Sequence, residues 1–266
     1  MPKVAKSCCT LAGLFLVLFL SWSMPVLAMP DQGLNLGPAH GEELVFNVHW
    51  MGIPSGTAIM RFNRDGKSGY RLESSLKSYG GMDFFFPIRD NFVVTGENLP
   101  DRLLANLYTK NQNEGGKKRT IEYRFDRPNK RMYYRRNDDR KEIPIDGSIN
   151  DYLSAVYSIR KMPLQPGDHF STTVVLEKER LYKADLWVEE REGLSTANGY
   201  QNTLPVSLVI RNSKRYSKRG DFAFWFTDDE RHMPVRIKIR AKVGSIGMDL
   251  MEYKDGRGGS GSGNIE

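Results

Sequence analysis

Beyond position 9 the chain contains no cysteine, since Cys8 and Cys9 are its only two. Both precede the first apolar run, so disulfides, thiolate nucleophiles and cysteine-based metal sites are excluded from everything downstream. Histidine is scarce as well: His40, His49, His169 and His232 are the four. None forms the His-x-His or His-Glu-x-x-His spacing that holds zinc. No Gly-x-Ser-x-Gly elbow is present to activate a serine, and no acidic stretch has the ligand spacing of a calcium loop. No metal and no cofactor are expected. After the first apolar run, no stretch approaches the ~20 apolar residues that cross a bilayer as a helix. There is no internal repeat of fixed period.

What is present begins with a leader. Lys3 and Lys6 form a basic start, residues 11–20 an apolar centre, and Val26-Leu27-Ala28 a small-residue processing site. Residues 1–28 therefore read as a secretory signal, which predicts a periplasmic location for the rest. The alternative of an uncleaved anchor is disfavoured by the shortness of the apolar run. Cys8 and Cys9 lie before that run, where no lipid-attachment cysteine sits after cleavage. An exported domain without disulfides must rest on its own core, and a chain of this length can bury one. The net charge of +7 falls by two on loss of Lys3 and Lys6. A modest positive charge mixed with many carboxylates favours anionic partners such as lipid phosphates or acidic glycans. Nucleic acid is not an expected partner of an exported chain.

The most regular stretch is residues 235–243, in which Val235, Ile237, Ile239, Ala241 and Val243 alternate with Arg236, Lys238, Arg240 and Lys242. A period of two over nine residues marks a half-buried β-strand. The aromatic run Phe222-Ala223-Phe224-Trp225-Phe226 forms its hairpin partner across a polar connection at 227–234. Similar runs recur at 42–50, 57–63, 70–78, 88–95, 103–112, 117–125, 130–136, 141–145, 170–176, 181–189 and 204–211, separated by Gly, Pro and Asx turns. Close spacing of this kind predicts an antiparallel meander.

One helix is predicted, over about 150–161. Ser148 or Asn150 is placed to cap it, Asp151 lies in its first turn and Pro163 ends it. Tyr152, Leu153, Val156, Tyr157 and Ile159 have helical spacing, so one face should pack on the sheet. The fold class expected is thus mainly β: a large antiparallel meander curled into a barrel or half-barrel, with one covering helix near 150–161. The cations on strand 235–243 disfavour a membrane-spanning barrel, whose outer face must be apolar. Residues 29–41 read as a flexible lead-in, 42–253 as a single β-rich domain, and 254–266 as a disordered Gly/Ser tail.

Several blocks together resemble a family of exported bacterial proteins known as domain of unknown function 3108. They are Gly41-Glu42-Glu43-Leu44-Val45-Phe46-Asn47-Val48-His49-Trp50 with Gly52-Ile53 and Gly56, Asn150-Asp151-Tyr152-Leu153-Ser154-Ala155-Val156-Tyr157-Ser158-Ile159-Arg160, Pro163-Leu164 with Pro166-Gly167, and Trp225-Phe226-Thr227-Asp228-Asp229 with Pro234-Val235. The resemblance runs from about Gly41 to Leu250 and implies a periplasmic β domain, with no catalytic residue to carry over. The architecture is also similar to that of periplasmic lipoprotein-carrier proteins, in which a curved sheet and helices enclose an apolar cavity. That second similarity bears on fold, not on function.

Three groups of residues are candidate sites. Met82, Phe84, Phe85 and Phe86 follow two glycines and form an apolar element able to line a pocket, gate it or touch lipid; the plainer alternative is that they join the core. With Tyr152, Val156 and Tyr157 of the helix they make up the expected ligand-binding set. Arg236, Lys238, Arg240 and Lys242 repeat at about 7 Å along one strand face and are the candidate anion-binding set; the alternative is a solvated face neutralised by Asp185 and Glu189 on a neighbouring strand. Asp228, Asp229 and Glu230 with His232 could cleave a glycan as paired carboxylates, against the alternative of a solvated turn. The reading with most support is a binding or carrier domain, not an enzyme, for a lipid, a glycolipid or another hydrophobic or anionic envelope ligand. An envelope glycan hydrolase built on the acidic cluster, and a scaffold docking another envelope protein by its edge strands, are the alternatives.

Overall fold

A computed structural model describes residues 37–147, 149–177, 180–211, 218, 220–240 and 244–262. The expected leader, most of the lead-in, the candidate cap Ser148 and the candidate cation Lys242 lie outside these residues.

The strands form two antiparallel runs that meet at the first strand. The first run is β1 (Glu42–Trp50), β2 (Ile53–Asp65), β3 (Gly69–Ser78), β4 (Arg89–Asn98), β5 (Leu103–Glu114), β6 (Lys117–Asp126), β7 (Arg131–Arg136) and β8 (Asp139–Pro144). Each strand pairs antiparallel with the next. A short helix, α1 (Gly80–Phe85), links β3 to β4. The second run opens with β9 (Asn150–Asp151) and α2 (Tyr152–Ile159). It continues through β10 (His169–Glu177), β11 (Arg180–Val188), β12 (Glu192–Thr196), β13 (Gly199–Ile210), β14 (Phe222–Thr227), β15 (Pro234–Arg240), β16 (Ser245–Lys254) and β17 (Ser260–Ser262). β11 and β12 both pair with β13, so they act as one strand with a kink between them. β16 pairs with β15 on one side and with β1 on the other, which joins the two runs into one sheet. Its order is β8 back to β1, then β16 back to β9, and β9–β10 is the parallel pair.

The sheet is mostly antiparallel and curled but not closed, because β8 and β9 at its two ends do not pair with each other. α2 is packed from both runs. Leu153 and Tyr157 join the cluster of Phe62, Tyr70, Val94, Tyr108 and Tyr134, whereas Ile159 and Val156 pack with Leu186, Val206, Phe224 and Ile237. The end of the second run is tied back to β5 by side chains instead of a ladder. Asn150 Nδ2 donates to the Leu103 carbonyl at 2.6 Å and its Oδ1 accepts from Ala105 N at 2.9 Å. Arg127 adds bonds to the carbonyls of Ala105 and Ile149 at 2.6 and 3.0 Å. These bonds satisfy backbone groups that β6 leaves free where it parts from β5. Gly96 lets β4 and β5 come close at their bulge, because a Cβ there would collide with the Leu104 carbonyl. The far edge, β8, carries Arg140, Lys141 and Pro144, the charges and imino acid that discourage edge-to-edge pairing.

Burial follows the expected alternation closely in β1, where Glu42, Leu44, Phe46 and Val48 are buried and their neighbours are not. One expectation needs correction, and three segments gain detail. The helix is capped by Asp151, whose Oδ1 accepts from Leu153 N and Ser154 N at 2.9 and 3.1 Å, and not by Asn150, which is occupied with β5. The end of the lead-in is packed: Gly37, Pro38 and Ala39 are buried, and Gly37 N bonds to the Glu230 carbonyl. In the tail, Asp255 accepts from the backbone of Arg257 and Gly259, and β17 turns back onto β16. Residues 245–254, unassigned by pattern, form the strand that joins the two runs.

Candidate functional site

A cavity of about 580 Å³ lies between α2 and the sheet of the second run. α2 contributes Tyr152, Ala155, Val156, Tyr157 and Ile159, and the strands contribute Phe170, Leu186, Leu208, Phe224, Ile237 and Ile239. These strand residues follow from period-two placement: Ile237 and Ile239 face inward while Arg236, Lys238 and Arg240 face away. The helix supplies a second apolar face because its first is spent on a tyrosine-rich raft. There Phe62 stacks on both Tyr70 and Tyr157, with centroids 6.2 and 6.0 Å apart, and Tyr108 contacts Tyr123 and Tyr152 at 5.2 and 5.9 Å. Ring contacts of this kind anchor the helix over the cavity.

Polar groups line the cavity near the β4–β5 turn and the end of α2, where Asp101, Arg102, Ser158 and Lys161 gather. Asp101 and Arg102 pair at 3.2 Å. Lys161 Nζ is held by neutral acceptors, the Asn98 side-chain oxygen at 2.5 Å and the Leu99 carbonyl. Partial burial holds the Lys161 pKa below the ordinary lysine value. Beneath α2 runs a buried chain in which Ser154 Oγ donates to Asp151 Oδ2 at 2.5 Å and shares a 2.7 Å bond with the Tyr70 hydroxyl. Burial raises the Asp151 pKa, opposed by the Ser154 and Leu153 hydrogen bonds, and it raises that of Tyr70 too. These groups fix the helix; they do not open onto the cavity.

Of the expected ligand-binding set, the structure brings Tyr152, Val156 and Tyr157 together at the cavity and leaves the other four elsewhere. Met82, Phe84, Phe85 and Phe86 lie on and just after α1 and are not among the lining residues. Nor do they join the core, since Phe84 and Phe85 are each 83% exposed. Of the anion-binding set, Arg236 pairs with Asp249 at 2.5 Å, Arg240 stands 3.7 Å from Asp221, and Lys238 is exposed. The acids facing Arg236 and Arg240 are therefore on β16 and before β14. Asp185 is engaged instead by Arg211 and Ser171.

The acidic cluster does not assemble as a catalytic centre. Asp228 pairs with Arg191 at 2.8 Å, and Asp229 is taken by Arg231 and by Thr227 Oγ1 at 2.6 Å. His232 is buried and turned the other way, its Nδ1–H donating to the Arg160 carbonyl at 3.0 Å. Burial lowers its pKa. Arg160 is the centre of this joint: its Nε donates to the His232 carbonyl at 2.9 Å and its Nη atoms to Glu42 Oε1 and Oε2 at 2.7 and 2.6 Å. Burial opposes the Arg160 charge, but the Glu42 carboxylate outweighs it and raises the pKa. No group of three or more His, Cys, Asp or Glu side chains suited to a metal occurs among the described residues, and none of their helices is long and apolar enough to cross a membrane.

Sequence reasoning missed the strand side of the cavity and the polar group at Arg102 and Lys161. The alternation of Leu186, Leu208, Phe224 and Ile237 is visible, but it is the same signal that ordinary core residues give.

A family model described as "Protein of unknown function (DUF3108)" matches residues 45–251. No curated protein matches the chain in sequence. Among solved structures, the chain is similar to a β-barrel-like protein of the DUF1849 domain of unknown function from Brucella abortus. The identity is 7% and the TM-score 0.57, over 82% of this chain and 98% of that one. It also matches the hypothetical protein CT021 from Chlamydia trachomatis at 8% identity and a TM-score of 0.39, over 89% and 96% of the two chains. At these identities the likeness to the first speaks for the fold alone.

Proposed function

The chain belongs to the DUF3108 family, and since no activity comes with that membership, we propose from its own geometry that it binds an amphiphile with an apolar chain and an anionic head. The observation that carries this is the cavity of about 580 Å³ beneath α2, which falls within the ~300–1,000 Å³ range of small-molecule sites. Its walls are mostly apolar, and the charged groups Asp101, Arg102 and Lys161 come from the β4–β5 turn and the end of α2, an arrangement able to orient a ligand with one polar end. Lys161 is the cation suited to the head, because two neutral acceptors leave its ammonium a third donor and, among the described residues, no carboxylate stands at ion-pair distance from it. A periplasmic location, as the leader predicts, makes an envelope lipid or glycolipid the natural ligand.

The test fills the cavity from the sheet side. Leu208→Trp adds an indole to a partly exposed lining position. The protein purified after export should carry lipid seen by mass spectrometry of solvent extracts, and it should bind a fluorescent fatty-acid probe. Leu208→Trp should weaken probe binding by about tenfold or more, as loss of several buried methylenes of contact would, with the melting temperature unchanged or raised. A wild-type protein that carries no lipid and binds no probe would end this reading.

A further inference from the structure

A second feature lies apart from the cavity. Nine large hydrophobic side chains are exposed among the described residues, and seven of them belong to two short segments: Trp50, Met51 and Ile53 at the β1–β2 turn, and Tyr79, Phe84, Phe85 and Phe86 around α1. The register makes these segments neighbours. Trp50 pairs with Ile53 across the turn, Gly56 of β2 pairs with Ser78 of β3, and Tyr79 N bonds to the Ser55 carbonyl at 3.0 Å. Tyr79 Oη also reaches Asn47 Oδ1 on β1 at 2.7 Å. The β5–β6 turn ends beside them, since Phe86 lies against Gly115.

Each segment is built to present these groups. Met51 and Gly52 both have positive φ, 53° and 83°, the signature of a two-residue type I′ hairpin turn. Asn or Asp is the residue usually found at the first position, and a bulky side chain in the left-handed region is strained. A methionine held there and 59% exposed is placed at the tip at a cost that the fold does not need. α1 buries none of its residues. It is fixed from one side by Asp83, which accepts from Ser78 Oγ at 2.6 Å and bidentately from Arg89 at 2.5 and 2.9 Å. Phe84 and Phe85 pack edge to face on each other and project into solvent.

We infer that this end of the sheet inserts into the headgroup–acyl boundary of an anionic phospholipid bilayer. Two projecting tips bearing Phe, Met, Ile, Trp and Tyr suit an interface that has an apolar depth and a wet surface. They suit a protein partner less, because that would require a packed, flat patch. The charge at this end agrees: Lys77 beside the tip strands and Lys117 and Lys118 at the β5–β6 turn are exposed, while Asp83 and Glu114 are engaged by Arg89 and Lys110. The inference is independent of the cavity reading.

Vesicle co-sedimentation tests it, using the protein purified after export. Binding should be strong to vesicles rich in phosphatidylglycerol at low salt, weaker to pure phosphatidylcholine, and accompanied by a blue shift of tryptophan emission. The double variant Phe84→Ser/Phe85→Ser should bind at least about tenfold less, since membrane affinity scales with apolar area inserted. Ile53→Ser, on the separate hairpin, should weaken binding in the same direction. All three side chains are exposed, so melting temperatures should not move, and Leu208→Trp should bind vesicles as the wild type does. Absence of vesicle binding by the wild type, or binding by both variants equal to that of the wild type, would overturn the inference and assign the surface to a protein partner.

Discussion

Replacing Glu42 by glutamine should destabilise the domain by about 3–5 kcal/mol, the cost of removing one partner of a buried pair. The structure gives the reasons for expecting that range. Arg160 is fully buried and Glu42 is 2% exposed, so neither can be rescued by water. Four of the five Arg160 guanidinium donors are matched, to the two carboxylate oxygens and to the carbonyls of Arg231 and His232. In the glutamine variant the charge of Arg160 loses its counterion, and one carboxylate oxygen becomes an NH₂ donor facing another donor. For a domain of this size the loss corresponds to a melting temperature lower by about 6–20 °C. The companion variant Glu42→Leu/Arg160→Met removes both charges and should recover most of the stability, because a well-packed apolar pair is often neutral or better. Thermal melts and urea titrations on the three proteins measure both effects. A glutamine variant that melts within about 2 °C of wild type, or a double variant as unstable as the single, would refute the buried-pair account.

Two further outcomes follow from neighbouring groups. His232 has a lowered pKa in the fold, so the unfolded chain binds more protons as pH falls below the ordinary histidine value of 6.5. Stability is therefore fully present above that pH and declines below it. His232→Asn, which tolerates the positive φ of 40° at this position, should flatten urea-derived stability between about pH 6.5 and 5. Asp151→Ala should cost about 1–2 kcal/mol through loss of the cap, and more if the Ser154 and Tyr70 hydroxyls lose their order. Asp151→Asn keeps the acceptor and should cost less than half as much in the same melts.

Much of this arrangement is legible in the amino-acid order, and the reasons for the remainder are physical. β1 and β15 announce themselves because one face is buried and the other wet, which writes the period of two into the sequence. α2 is announced by its apolar spacing and by Pro163, although its cap falls at Asp151 because Asn150 is needed by β5. α1 leaves no trace, since a six-residue helix that buries nothing has no periodicity to show. β16 is obscured by Gly247 and Asp249, poor strand formers that pairing with β1 and β15 carries along. The cavity is the least legible feature. Its walls come from one helix and strands far apart in the chain, and each lining residue alternates just as a core residue does. Only the register of the folded sheet separates the two.

The position of β1 has a consequence for how the chain acquires its structure. Among the described strands, the first made is the one that needs one of the last: His49 meets Asp249 across a separation of 200 residues, and Glu42 meets Arg160 across 118. As the chain emerges from its amino end, β2 to β8 can zip up by local hairpins, but β1 stays an open edge. That edge is covered only once β16 arrives. Contacts so distant make the last step slow, and they make it a single closing event that depends on the final segment. A chain cut short before Ser245 loses more than one strand: it leaves the two runs unjoined and β1 exposed along its length, open to pairing with another copy.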